Sequence, residues 1–270
     1  MENKGNAEFE NERLRIDKER VLTYSGLVCP LDCKYCFVEH LNAEQSKGST
    51  YLNEKQIELL GNLPPDVNLI MLGCDTELFQ KGSAVFKTLE RISDYQKDIS
   101  IVTKIPLDKR DLLRLKEIDK KLGRSGNIFT LSYSIPCLGS YRKWEPKVPS
   151  PEKRLASLRE SNSLGLKSLV AVRPLLPDLA DEEMAGIIQE TKDFCLAYYS
   201  GPLYLKDLDI LENKENLNIE LVRPHWMPEG NEFYRVEKPG QMERLRELIE
   251  KTGKNLFDGA ADAIKAIKAR

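Results

Sequence analysis

The sequence predicts an α/β fold: a partial (β/α)6 barrel of TIM type, open on one side. Three observations lead there. Strand and helix signals alternate through most of the 270 residues, and such alternation means parallel βαβ units with right-handed crossovers. The strand segments are continuously apolar, so the sheet is covered on both faces or curled. The units number six, where a closed barrel has eight.

Residues 1–20 are strongly charged and read as a frayed or helical extension. The first strand spans 21–29 and runs into a long loop that carries cysteines. A helix over 54–63 is stopped by Pro64-Pro65. The second strand, 68–73, is followed by a helix over 83–95, with Val85, Phe86, Leu89 and Ile92 at helical spacing. The third strand, 99–104, precedes a helix over 109–122. Its Leu112, Leu115, Ile118 and Leu122 share a face, and Gly123 ends it. The fourth strand is 128–134. Ser150-Pro151-Glu152 then starts a helix that ends near Gly165, with a cap, a first-turn proline and an acid at the positive end of the dipole. A strand over 169–174 and a helix over 181–196 follow. The sixth strand is expected over 203–208, and terminal helices over 241–251 and 260–269. The expected organisation is therefore an extension (1–20), a barrel (21–212) and a C-terminal, substrate-facing segment with helices (213–270).

The chain has 41 Lys+Arg against 43 Asp+Glu, a net charge of −2. That balance argues against a broad nucleic-acid surface, so duplex DNA is not an expected partner, although a local basic groove stays open. No apolar run approaches the roughly 20 residues of a membrane span. The N-terminus lacks the apolar stretch of a secretory signal. Six cysteines in a chain of this length do not make a disulfide scaffold. A cytoplasmic, reducing setting is expected.

Cys29, Cys33 and Cys36 follow the first strand with spacing C-x3-C-x2-C. Thiolates at these intervals can converge on one metal centre. Three thiolates on a four-iron cluster leave one iron open for a substrate or cofactor. The alternatives on spacing alone are zinc, with His40 as fourth ligand, and three unrelated buried thiols. Location favours the cluster, because small zinc knuckles fold autonomously and this loop begins a series of βα units.

With Tyr35 just before the last cysteine, the loop resembles that of the radical S-adenosylmethionine (SAM) superfamily, over residues 21–212. The resemblance implies a [4Fe–4S] cluster on Cys29, Cys33 and Cys36, SAM bound to the open iron, and an electron donor such as flavodoxin or ferredoxin. It also implies that SAM is cleaved to a 5′-deoxyadenosyl radical that takes hydrogen from a substrate. Three further segments are similar to the spore photoproduct lyase-like branch: Leu72-Gly73-Cys74-Asp75-Thr76-Glu77, Val102-Thr103-Lys104-Ile105-Pro106, and Glu145-Pro-Lys-Val-Pro-Ser-Pro-Glu-Lys-Arg154. In that branch the residues matched by Tyr35, Phe37, Lys104 and Ser134 contact SAM.

Strand ends supply the other candidates. Gly73 belongs to the turn expected to receive the SAM amino group, through Asp75 or Glu77, since a carboxylate accepts charge-assisted bonds from an ammonium. Lys104 is expected to pair with the SAM carboxylate, or to snorkel to solvent. Ser132 and Ser134 share a face of the fourth strand and are candidates for the SAM ribose or carboxylate. Arg173 is a candidate for an acidic group. Cys74, by resemblance, is a candidate hydrogen donor to a product radical, or a small buried hydrophobe. Within 213–238, Arg223, His225, Trp226, Phe233, Tyr234 and Arg235 offer stacking and charge to a nucleobase or a small acidic molecule. Three alternatives stay beside the general radical SAM reading: a DNA-lesion or nucleotide-modifying lyase, a peptide-modifying or protein-activating enzyme, and a zinc-stabilised binding protein.

Overall fold

Seven strands run parallel, in chain order, across one sheet of a computed structural model that describes residues 6–40, 50–224 and 232–269. The chain begins with a short helix, α1 (Asn6–Asn11), and a strand, β1 (Leu14–Asp17), that pairs antiparallel with β2 (Arg20–Thr23). The expected frayed or helical extension is helical over Asn6–Asn11 and then becomes an edge strand. Leu14 is fully buried and Ile16 packs on the core, so two apolar anchors dock a charged segment as an edge strand. The first parallel strand also stops earlier than expected. Gly26 takes a φ of +70° and its N–H goes to Asp75, which turns the chain out of the sheet.

The repeating units are α2 (Glu54–Gly61), β3 (Leu69–Leu72), α3 (Val85–Ile92), β4 (Asp98–Thr103), α4 (Lys109–Gly123) and β5 (Phe129–Ser134), followed by the short α5 (Tyr141–Trp144). Then come α6 (Pro151–Ser163), β6 (Ser168–Val172), α7 (Asp181–Thr191) and β7 (Ala197–Ser200). Caps explain two helix starts: Asn53 and Gln56 form a capping box on α2, and Asp108 accepts from Asp111 N–H on α4. Ser150 sits at the start of α6 as expected, but its side chain makes no cap bond; its hydroxyl is engaged by the Glu152 carboxylate instead.

The sixth parallel strand is β7, not the segment 203–208. Tyr198 and Tyr199 point to opposite faces there: the Tyr198 hydroxyl lies 2.8 Å from that of Thr191 on α7, and Tyr199 joins the other face. After Gly201 the chain leaves the sheet. β8 (Leu203–Leu205), β9 (Asn218–Val222) and β10 (Phe233–Glu237) make a separate antiparallel sheet in the order β8-β10-β9. The chain returns through α8 (Gln241–Glu250) and β11 (Leu256–Phe257), which extends the main sheet parallel to β7, and ends in α9 (Ala260–Lys268). The main sheet thus has an open order, β1-β2-β3-β4-β5-β6-β7-β11.

Its two faces are covered differently. Ile70, Leu72, Ile99, Ile101, Leu131, Tyr133, Val170 and Val172 share one large core with the crossover helices. The opposite face, with Leu69, Leu169, Ala171, Ala197 and Tyr199, is covered by Ala260, Ala263 and Ile264 of α9. Alanines on both partners let helix and sheet approach closely. Lys268 locks the end of α9 to Asp98, with Nζ 2.8 Å from Oδ1. No helix among the described residues is long and apolar enough to cross a membrane.

Candidate functional site

The cysteine loop leaves the carboxyl end of β2, where the loop after β3 pins it. Gly26 N–H donates to Asp75 Oδ2 at 2.7 Å, and the Ser25 hydroxyl donates to the same carboxylate at 3.2 Å. Asp32 adopts a φ of +49°, a conformation that Asp tolerates better than most residues. Cys29, Cys33 and Cys36 form no disulfide and are partly exposed, and Cys36 N–H closes a turn onto the Cys33 carbonyl at 2.9 Å. Burial pushes the Cys33 thiol up to about 12; Lys104 opposes that, while Glu145, Cys36 and Cys29 add to it. The thiols are therefore within electrostatic reach of one another. Three thiols on one loop, open to solvent, fit a [4Fe–4S] cluster with one iron left for another ligand. Among the described residues, no three His, Cys, Asp or Glu side chains come together as a single-ion site.

The segment joining α5 to α6 grips the loop from behind at two consecutive residues. Lys34 N–H donates to the Trp144 carbonyl at 2.8 Å, and the Tyr35 hydroxyl donates to Glu145. Glu145 is fully buried, yet it carries three partners. Its Oε1 takes Tyr35 and lies 3.1 Å from Lys104 Nζ; its Oε2 takes Arg154 Nη2 at 2.6 Å. Arg154, also fully buried, donates through Nη1 to the Ser134 carbonyl at 2.6 Å. Lys104 donates to the Ser134 hydroxyl and lies 5.3 Å from the centre of the Tyr35 ring. Burial raises the Glu145 pKa, but Lys104, Arg154 and Tyr35 outweigh it and hold this carboxylate below its ordinary value. Sequence reasoning noticed the stretch from Glu145 to Arg154 but assigned neither end. The available signal was an arginine at the start of a helix, three residues after its proline, on the turn that also carries Leu155 and Leu158 inward.

Several expectations are corrected by these contacts. Lys104 neither snorkels nor stands unpaired; Glu145 supplies a counter-charge that was not foreseen. Glu77 does not face an open site. Its carboxylate accepts from Thr103 at 2.7 Å, Lys104 N–H at 2.8 Å and Phe79 N–H at 3.2 Å, which ties the turn after β3 to the end of β4. Asp75 is likewise buried and engaged with the cysteine loop, its Oδ1 lying 3.4 Å from the Ser25 hydroxyl. Gly73 is required by geometry: φ is +82°, a Cβ would sit 2.7 Å from the Val102 carbonyl oxygen, and its N–H donates to the Tyr51 hydroxyl at 2.6 Å. That N–H is occupied within the protein.

Ser132 and Ser134 share a face as expected, the face that α9 covers lower down. Ser134 meets Lys104, whereas Ser132 is buried beside Tyr199. Arg173 extends the same face beyond β6. Its Nη1 donates to the Asp258 carbonyl at 3.1 Å, and a Cβ on Gly201 would lie 3.1 Å from its Cζ, so glycine makes room for the guanidinium. Cys74 donates to the Met71 carbonyl at 3.4 Å, and burial pushes its thiol up to about 12. Phe37 leaves the cysteine loop sideways and meets Phe233 of β10 edge-on, with ring centres 6.1 Å apart. Tyr24, Val38 and Tyr204 join that cluster, so the small sheet packs on the flank of the cysteine loop. In the 213–238 segment, Arg223 and Arg235 pair with Glu232 and Glu237 rather than presenting bare charge. His225 and Trp226 lie outside the described residues.

No family model matches the chain. An uncharacterized protein of Methanocaldococcus jannaschii is 28% identical over 186 residues, 66% of this chain and 68% of its own. Among solved structures, spore photoproduct lyase complexed with dinucleoside spore photoproduct aligns with TM-score 0.61 and 15% identity, over 85% of this chain and 73% of that one. Streptococcus suis SuiB bound to S-adenosylmethionine aligns with TM-score 0.52 and 13% identity, over 72% of this chain and 41% of that one. SuiB bound to its precursor peptide SuiA aligns equally, with TM-score 0.52. This chain therefore spans about half of SuiB or less and most of the lyase. The likeness at these identities is one of fold, and with it goes the mixed α/β architecture and mostly parallel sheet seen here.

Proposed function

We propose that this chain is a cytoplasmic radical SAM enzyme whose Cys29, Cys33 and Cys36 hold a [4Fe–4S] cluster. The observation that carries this reading is the partly exposed three-cysteine loop at the carboxyl end of β2, gripped by the Trp144–Glu145 segment. The shared fold supports it, since SuiB has been solved with SAM bound. When bound, the cluster supplies the electron that cleaves SAM to methionine and a 5′-deoxyadenosyl radical, which takes hydrogen from the substrate.

The chain's own residues then have the following roles. Lys104, steadied by Ser134, is the cation for the SAM carboxylate. Asp75 Oδ1 is the acceptor for the SAM amino group, because Glu77 is spent within the protein. Tyr35 and Phe37 frame the loop. Arg173 anchors an acidic group on the same face. Flavodoxin or ferredoxin is the expected electron donor. A nucleotide substrate is the second reading, favoured by the dinucleoside on the lyase neighbour and by aromatic residues of the small sheet beside the loop.

Anaerobic reconstitution with iron and sulfide tests the proposal. About four irons per chain are expected, with 5′-deoxyadenosine released on adding SAM and a reductant. A protein that takes up zinc, loads no iron and leaves SAM intact would sink it.

Cys74 is proposed as the donor that returns hydrogen to a product radical. A donor must keep its S–H bond, and the buried, raised thiol remains protonated at neutral pH. Cys74→Ala should therefore cleave SAM normally but divert the product, as read by mass spectrometry with the true substrate. An unchanged product spectrum at the wild-type rate would leave Cys74 as packing.

A further inference from the structure

We infer that Glu145 is the positioning residue of this site, a buried anion that holds Lys104 and Tyr35 against the cysteine loop and balances the charge felt there. The inference rests on the cluster reading above and goes beyond it, because it concerns a residue that touches neither cluster nor cofactor in that reading.

The geometry divides the network into a fixed part and an adjustable part. Arg154 and Glu145 are both fully buried and joined at 2.6 Å, and Arg154 is also tied to the Ser134 carbonyl at the end of β5. That pair has no solvent to compensate it, so its position is determined by the fold. Lys104 is the adjustable end. Its side chain is 16% exposed, and it reaches the fixed pair through Glu145 Oε1 at 3.1 Å. Two of its three N–H donors are engaged, by Ser134 and Glu145, which leaves one for an incoming anion. With Arg154, Glu145 and Lys104 charged, the cluster of side chains carries one net positive charge beside a loop that would hold three thiolates.

The same carboxylate reaches the loop directly through Tyr35, between Cys33 and Cys36, while the adjacent Trp144 carbonyl takes Lys34 N–H. A charge on Glu145 or Lys104 therefore lies one side chain away from the metal ligands. Iron–sulfur potentials respond to nearby charge. Removing the anion favours the reduced, more negative cluster; removing the cation disfavours it.

The test is a redox titration, followed by electron paramagnetic resonance, of reconstituted wild-type, Glu145→Gln and Lys104→Met proteins, with iron measured for each. Glu145→Gln should raise the midpoint potential and Lys104→Met should lower it, with iron content unchanged. Shifts of opposite sign distinguish charge positioning from general loosening of the loop, which would move both variants alike. Iron-loaded variants whose potentials stay at the wild-type value, or move in one direction together, overturn the inference. Should Glu145→Gln fail to fold, Glu145→Asp takes its place beside Lys104→Met: drawing the anion back from Lys104 and Tyr35 should raise the potential by less than full removal would, still opposite in sign to Lys104→Met, and a potential at or below the wild-type value refutes the role. Failure of the wild type itself to load iron would instead refute the cluster reading.

Discussion

Replacing any one of Cys29, Cys33 or Cys36 with alanine should abolish iron loading and SAM cleavage while leaving the fold nearly as stable as before. The expected asymmetry follows from where the thiols sit. All three are partly exposed on a loop, so little packing is lost with the sulfur at Cys29 and Cys36, and somewhat more at Cys33, which packs on the core. Substitutions outside the core typically change stability by about 0.5 kcal/mol or less. The loop also keeps its other anchors: Gly26 on Asp75, Lys34 on Trp144 and Tyr35 on Glu145. Cys137 and Cys195 make the contrast. Both are buried, and alanine there should cost about 1 kcal/mol of stability with no loss of iron. Iron analysis and thermal melts of these five single variants check the prediction. Full iron and turnover in a Cys33→Ala protein would end the cluster assignment.

The cysteine ligands were legible because their information is local: three residues within one loop declare a spacing. Parallel strands were legible for a related reason. Runs such as Leu69–Leu72 and Ser168–Val172 are apolar on both faces, and that composition survives in one dimension. The sixth strand was not, because the chain offers Ala197–Ser200 and Leu203–Leu205 as neighbouring candidates, and only the turn at Gly201 separates the main sheet from the small one. The role of α9 was also hidden. Its helical character was readable, but nothing in its periodicity says that it covers the sheet face bearing Ala171 and Ala197. Charged partners were least legible of all. Lys104 is 41 residues from Glu145, and Tyr35 is 110 residues from it. A buried carboxylate is tolerated only once its cations arrive from other elements, so its meaning exists in three dimensions alone. Glu77 shows the converse: a strand-end acid that looked available is consumed by three donors of its own protein.

Glu145→Ala should be the most destabilising single change at the site, by about 3–5 kcal/mol, the usual cost of removing one member of a buried ion pair. The substitution strands the fully buried Arg154 guanidinium and deprives both Lys104 and the Tyr35 hydroxyl of their acceptor. Glu145→Gln should cost less, because an amide oxygen can still accept from Arg154 or Tyr35. The pH dependence fixes the sign of the effect. The folded-state pKa of Glu145 lies below 4.5, the ordinary glutamate value, since Lys104 and Arg154 outweigh the upward push of burial. A carboxylate depressed in the folded state contributes stability that is complete above its unfolded pKa and is lost as pH falls through the folded one. The gap between wild type and Glu145→Ala should therefore be full near neutral pH and narrow in acid. Urea unfolding of both proteins at about pH 7 and about pH 3 measures it. A gap under about 1 kcal/mol at neutral pH, where one ordinary hydrogen bond would account for it, or a gap that widens on acidification, would show that the buried carboxylate is not the anchor of this network.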